Sequence, residues 1–112
     1  MNCTENEVMA LWYLYDDGAT IGKVGSCSGI IVRDSEFNAK ARLTAESGSA
    51  LSPYSVTCHV YGVLLHTVKY QNNAVADAAY DRMKVDVERY VISDAKDDEK
   101  WRMEFASKYQ SI

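Results

Sequence analysis

Three side chains with chemical potential sit together in one apolar run, PYSVTCHVYGVLLHTVKY at residues 53–70: Cys58, His59 and His66. A thiol and two imidazoles are the raw material of a zinc site or of an activated nucleophile. Backbone geometry decides whether they can meet. In one continuous strand Cys58 and His66 share a face, His59 takes the other, and eight extended residues separate the pair by roughly 26 Å. A hairpin turning at Tyr61-Gly62 offers two alternatives. A loop of two or four residues sets Thr57 opposite His66 and leaves His59 and His66 diagonal on one face, roughly 7–8 Å apart. A loop of three residues pairs Cys58 with His66. No register unites all three, and Tyr61 is poorly suited to a primed turn, which needs positive φ there. The histidine pair also lacks a third ligand, so neither metal nor cofactor is expected. The competing reading is of core histidines whose ring nitrogens bond to backbone or water.

Cys27 lies in GKVGSCSG, a glycine-rich stretch with one lysine. Phosphate loops place G-K-[ST] or G-x-G-x-x-G at the start of a helix. Here Lys23 is followed by Val24 and no helix pattern follows. Cys27 is read as a surface thiol, since only Lys23 is near in sequence to lower its pKa. His59, His66 and Cys27 are thus the candidates for a ligand site. Ser93-Asp94-Ala95-Lys96 matches the S-x-x-K pattern of β-lactamases without its companion motifs. Asp97-Asp98-Glu99 lacks the spaced oxygens and glycine of a calcium loop. It suits a helix N-terminus, where carboxylates are favoured.

The elements that must position these groups are legible from periodicity. Residues 4–15, TENEVMALWYLY, carry both a capping-box spacing (Thr4, Glu7) and a bulky apolar run ending at Asp-Asp-Gly; the run is read as a strand, with ATIGKVG as its hairpin partner. SGIIVRD gives another strand. AKARLTAE alternates Ala41, Leu43 and Ala45 against Lys40, Arg42 and Thr44, as a half-exposed strand does. Residues 53–70 form the most buried sheet segment, with Val56, Cys58, Val60, Leu64 and Val68 as core. After Asn72-Asn73 the period changes. Ala76, Tyr80, Met83, Val87 and Tyr90 make one stripe on a helix over about 74–92, capped by one of the asparagines. Lys84 with Glu88 and Arg82 with Asp86 have the i,i+4 spacing. A last helix over about 97–110 carries Trp101, Phe105 and Tyr109. Strands first and helices last predict an α+β fold: an antiparallel sheet of about four to six strands from the N-terminal two-thirds, covered by both helices.

The 112 residues suit a single domain, 1–112, with an ordinary apolar fraction of 47%. The net charge of −4, without a basic cluster, argues against nucleic acid. No apolar run suits a membrane span or export signal, and three widely spaced cysteines fit a reducing compartment, so a cytoplasmic protein is expected. Asn2-Cys3-Thr4 is then a chance sequon.

Through Pro53-Tyr54, Cys58, Tyr61-Gly62 and His66-Thr67, followed by a long charged helix, residues 9–92 resemble a group of small bacterial α+β proteins. That resemblance implies a fold and no activity. Eight tyrosines and two tryptophans in a small acidic chain favour interfaces. The first functional expectation is therefore a non-enzymatic binding or assembly domain forming a homodimer through Trp101, Phe105 and Tyr109. One alternative is a small enzyme or ligand-binding protein using His59, His66 or Cys27. Another is an acidic, immunity-like protein that binds a basic partner.

Overall fold

The computed structural model describes residues 12–49, 52–94 and 96–111. The capping-box pair Thr4 and Glu7, Cys3 and residues 8–11 of the first apolar run lie outside the described residues. The chain forms five antiparallel strands, β1 (Trp12–Leu14), β2 (Ile30–Phe37), β3 (Ala41–Ser47), β4 (Tyr54–Val60) and β5 (Leu64–Tyr70), in the meander order β1-β2-β3-β4-β5. Helices α1 (Asn73–Ile92) and α2 (Asp98–Lys108) follow. This is the expected α+β architecture. No described helix is long and apolar enough to cross a membrane.

The histidine register is settled by one turn. The β4–β5 hairpin closes over Tyr61, Gly62 and Val63, pairing Val60 with Leu64 and Cys58 with His66. The Val63 N–H donates to the Val60 carbonyl, and only Gly62 of the two central residues has positive φ, at 77°. A turn of that kind asks nothing unusual of Tyr61, which a primed turn would have forced into the left-handed region. The three-residue loop is also the register in which Val56, Cys58, Val60, Leu64 and Val68 all share one face. Four of them are buried and Leu64 packs on the core's margin.

That face continues through β3, where Ala41, Leu43 and Ala45 pair with Val60, Cys58 and Val56. Onto it α1 lays the stripe Ala76, Ala79, Tyr80, Met83, Val87 and Tyr90, every member buried. Asn72 starts the helix by accepting from the N–H groups of Ala74 (2.8 Å) and Val75 (3.2 Å). The charged residues with i,i+4 spacing engage more distant partners. Glu88 accepts from the Trp12 indole (3.0 Å) and Asp86 from Lys108 (2.8 Å). Arg33 reaches from β2 to Asp77 and Asp81 on α1 at 2.7 and 2.9 Å.

Tyr80 is the largest fully buried side chain. Its hydroxyl donates to the Leu43 carbonyl (2.9 Å) and lies 2.9 Å from Ser35 Oγ. Burial pushes this phenol up to about 12, against roughly 10 in an unfolded chain. Between those values the folded state binds more protons than the unfolded one, so stability must fall as pH rises through the window. Urea midpoints measured upward from pH 9 should decline beyond pH 10, and the decline should be shallower in Tyr80→Phe. Equal slopes in the two proteins would show that Tyr80 is not responsible.

Two expectations for the N-terminal third are corrected. The Asp-Asp-Gly stretch does not close a hairpin between the first strand and ATIGKVG. Tyr15–Gly18 is a tight left-handed turn in which Asp16, Asp17 and Gly18 all have positive φ, and β1 pairs with β2. Asp tolerates that region better than most residues, because its short side chain can bond locally. The ATIGKVG stretch pairs instead with the start of β2: the Gly22 N–H bonds to Ile31 O (2.8 Å), the Ile31 N–H to Lys23 O (2.8 Å), and Val24 bridges Ile30. Residues 15–29 thus form a strap across the face of the sheet opposite the helices.

Candidate functional site

The strap turns the outer face of β2–β4 from a half-exposed surface into a polar interior. Thr44, expected to face solvent, is buried, as are Asp34 and Glu46, each 1% exposed. Burying a carboxylate is costly unless it is paired or hydrogen-bonded, and each is satisfied by a different means. Asp34 receives Arg42 through Nε (2.9 Å) and Nη2 (2.7 Å), Thr44 Oγ1 (3.0 Å), and Thr20 Oγ1 from the strap (2.7 Å). The Arg42 guanidinium lies 3.7 Å over the Tyr15 ring. Asp34 holds the guanidinium above its usual value by hydrogen bonding, an effect burial partly opposes. Glu46 has no cation partner among the described residues. It accepts backbone N–H groups from the strap tip, Cys27 (3.2 Å to each oxygen) and Gly29 (2.9 Å).

This explains the glycine-rich stretch that looked like a phosphate loop. Its amides do bind an anion, and the anion is the chain's own Glu46. A Cβ on Gly25 would stand 2.4 Å from Glu46 Oε2, and one on Gly29 would stand 2.8 Å from the Ser47 carbonyl. Both positions are small because carboxylate and backbone approach so closely there.

Beside the strap the outer face opens into a cleft of about 430 Å³. Lys23, Val24 and Ser26 line it from the strap, and Thr44, Thr57, His59 and Leu65 from the sheet. His59 is exposed, edge-on to the Tyr61 ring at 4.9 Å. Thr57, two residues along the same face, shares a hydrogen bond with Thr67 (3.0 Å) and lies 3.7 Å from Cys27 Sγ. Cys27 and His59, singled out from sequence, therefore flank Thr57 on one face. Cys27 is half-buried rather than an open surface thiol, and its sulfur meets a hydroxyl rather than an imidazole.

His66 belongs to the other side of the sheet. Its Nε2 lies 2.7 Å from the Tyr109 carbonyl, so this nitrogen carries the proton and donates. Its ring is edge-on to Phe105 at 6.1 Å. His66 fastens the end of α2 to β5. The reading of histidines bonded to backbone thus describes His66 but not exposed His59. Cys58, opposite His66, is fully buried, and burial pushes its thiol up to about 12. In a Cys3→Ser background an aromatic disulfide reagent should modify Cys27 in the native protein and Cys58 only on unfolding. Fast native labelling of two thiols would contradict this burial. Among the described residues no three His, Cys, Asp or Glu side chains are arranged to hold a metal ion.

The aromatic stripe of α2 docks on its own chain. Phe105 and Tyr109 are buried, and Trp101 stacks on Tyr90 with ring centroids 4.2 Å apart. Asp97 caps α2 by accepting from the Lys100 N–H (3.1 Å), and Asp98 accepts from the Tyr90 hydroxyl. The acidic run thus has the structural role its position suggested.

Compared with family models, curated proteins and solved structures, the chain matches none. Function must therefore be argued from the cleft itself. Sequence reading missed Asp34, Arg42 and Glu46. Their signal was Asp34 and Glu46 on the outward-facing register of β2 and β3, with a glycine-rich segment upstream able to cover them.

Proposed function

We propose that this chain is a non-enzymatic binding domain whose ligand is a small organic anion held in the cleft between the strap and β3–β5. One observation carries the reading. The two carboxylates nearest the cleft are buried and fully engaged, so the groups left for a ligand are donors, the Lys23 ammonium and the His59 ring, beside the Thr57 hydroxyl that Thr67 already shares. Val24 and Leu65, each 69% exposed, add apolar surface at the rim. Pockets that combine apolar walls with a few convergent polar groups are the usual form of small-ligand sites. Acid–base or nucleophilic chemistry is disfavoured because the thiol contacts Thr57 rather than a base.

Amide resonances followed during titration with short-chain carboxylates, inorganic phosphate and a neutral amide isostere test this reading. A carboxylate or phosphate should shift residues of the strap and of β4–β5, the amide should not, and Lys23→Ala with His59→Ala should weaken binding about tenfold or more. No shift at millimolar anion, or equal binding to the double variant, would remove the cleft as a site.

The reading of an acidic protein for a basic partner would rest on exposed carboxylates that form no ion pair among the described residues, Asp16, Asp17, Asp94, Glu99 and Glu104, because the others are engaged within the chain. Asp34, Asp77, Asp81 and Asp86 form ion pairs, Glu36 accepts from Tyr61, Glu88 from Trp12, and Glu46 is enclosed by amides. A homodimer remains a second reading, favoured by Met103, 68% exposed, close in sequence to half-buried Trp101. Light scattering across the micromolar range decides it: a mass near 12.5 kDa is the monomer. Cytoplasmic residence is supported by free Cys27 and Cys58, which lie on opposite faces of the sheet and so cannot pair.

A further inference from the structure

The helical side carries a second concavity, about 460 Å³, between the last turns of α1 and the exposed face of α2. Its apolar wall is the row Tyr90, Trp101 and Phe105: Trp101 stacks on Tyr90 with ring centroids 4.2 Å apart at an interplanar angle of 17°, and lies tilted against Phe105 at 5.0 Å and 42°. Only Trp101 of the three keeps an accessible surface of consequence. Around this wall the lining contributes four cations, Arg89, Lys96, Lys100 and Lys108, and three carboxylates, Asp86, Asp97 and Glu104. The groove therefore carries one positive charge in excess (four minus three), within a chain of net charge −4.

How those charges are engaged sharpens the picture. Asp86 takes both the Lys108 ammonium and the Tyr109 hydroxyl, and Asp97 is turned to the backbone of α2 as its cap. Arg89, Lys96 and Lys100 form no ion pair among the described residues; Lys96 lies 5.9 Å from the centre of the Tyr90 ring. Three cations and one carboxylate, Glu104, thus line the groove outside any ion pair or helix cap among the described residues, beside one partly exposed indole.

We infer that this groove docks a short acidic segment of a partner protein, in which two or three spaced carboxylates flank one bulky apolar side chain. The apolar group would cover the open part of Trp101, an anchor residue enriched at interface centres, and the carboxylates would meet Arg89, Lys96 and Lys100 at the rim. Single-stranded nucleic acid also uses cations and aromatic rings, but the charge pattern disfavours it. A nucleic acid brings a phosphate with every residue, and Asp94, Asp98, Glu99 and Glu104 lie in sequence among the cations. A polyanion would meet both signs, whereas a peptide can place its few carboxylates on the cations alone.

The chain has two tryptophans, so Trp12→Phe leaves Trp101 as the only indole reporter. In that background, three probes are titrated against Trp101 fluorescence: a synthetic peptide with glutamates around a central leucine, its glutamine counterpart, and a short single-stranded oligonucleotide. The glutamate peptide should shift the emission and bind at least about tenfold more tightly than the glutamine peptide. Added salt should weaken it. Lys96→Glu with Lys100→Glu should abolish that preference while circular dichroism and the melting temperature stay unchanged. Since both lysines are exposed, loss of fold is not the expected outcome; if it occurs, Arg89→Gln serves as the second variant, with at least a several-fold loss expected. Equal affinity for both peptides, no change at millimolar peptide, or tighter binding of the oligonucleotide would overturn the inference. So would a doubled mass in light scattering that Trp101→Glu reduces to monomer, which would give the groove to a second copy of the chain. Failure here leaves the cleft beneath the strap untouched, since the two sites share no residue.

Discussion

Asp34→Ala is expected to cost about 3–5 kcal/mol of stability, the range seen when one partner of a buried ion pair is removed. The mechanism is an uncompensated charge. Asp34 is fully buried at its side chain, while Arg42 retains 28% exposure. Without the carboxylate the guanidinium loses two hydrogen bonds, and the hydroxyls of Thr20 and Thr44 lose their acceptor. The damage also spreads along the strap. Arg42 supports Tyr15 at one end, and Thr20 fixes the middle. Urea unfolding of Asp34→Ala, Arg42→Ala and the double variant measures the effect. The double variant should be less destabilised than the sum of the singles by at least about 1 kcal/mol, because removing both charges leaves neither stranded. Additive losses would mean that the two residues act independently and that this account of the outer face is wrong.

The helical side of this molecule was readable from periodicity, and the strapped side was not, for a physical reason. The stripe from Ala76 to Tyr90 and the alternation of β3 and β4 record burial of apolar side chains, which repeats every 3.6 or 2 residues. Even the choice between hairpin registers was within reach, since Tyr61 disfavours the primed turn and the three-residue loop aligns all five expected core residues. The strap obeys a different logic. It covers polar side chains and holds them with backbone amides and hydroxyls, so Thr44 and Glu46 look from sequence like solvent-facing residues of a half-exposed strand. A backbone segment that binds a carboxylate leaves only glycines as its trace. Those glycines also resemble a phosphate loop, because the same requirement, close approach of N–H groups to an anion, produces both. The cleft was half legible: Cys27 and His59 were marked by their chemistry, while Lys23 and Thr57 acquire meaning only once the strap sets them on one face. His66 was marked for the same chemistry and turned out to fasten a helix.

The enclosure of Glu46 allows a test that separates a bound carboxylate from a merely buried one. Glu46→Ala leaves the N–H groups of Cys27 and Gly29 without their acceptor. A buried unsatisfied donor costs about 1–3 kcal/mol, so the expected loss for the two is about 2–6 kcal/mol, less whatever water recovers by entering. Gly25→Ala attacks the same contact from the opposite side. Its new Cβ would sit 2.4 Å from Oε2, 2.5 Å from Cδ and 2.9 Å from Oε1 of Glu46, so the carboxylate must leave its amides or the strap must lift. Overpacking of this kind costs about 1–3 kcal/mol. The two substitutions should not add. With the Glu46 side chain truncated, the alanine at 25 no longer meets the carboxylate oxygens, so Gly25→Ala in the Glu46→Ala background should cost less than half of what it costs in the natural sequence. The coupling, at least about 1 kcal/mol, is read from urea midpoints of the four proteins. Gly22→Ala is the control: Gly22 has φ of +90° and open space around its Cβ position, so its penalty comes from backbone strain and should be the same with or without Glu46. If Gly25→Ala proves equally costly in both backgrounds, the tightness at Gly25 belongs to the loop's own backbone, and Glu46 is not the group around which the strap closes.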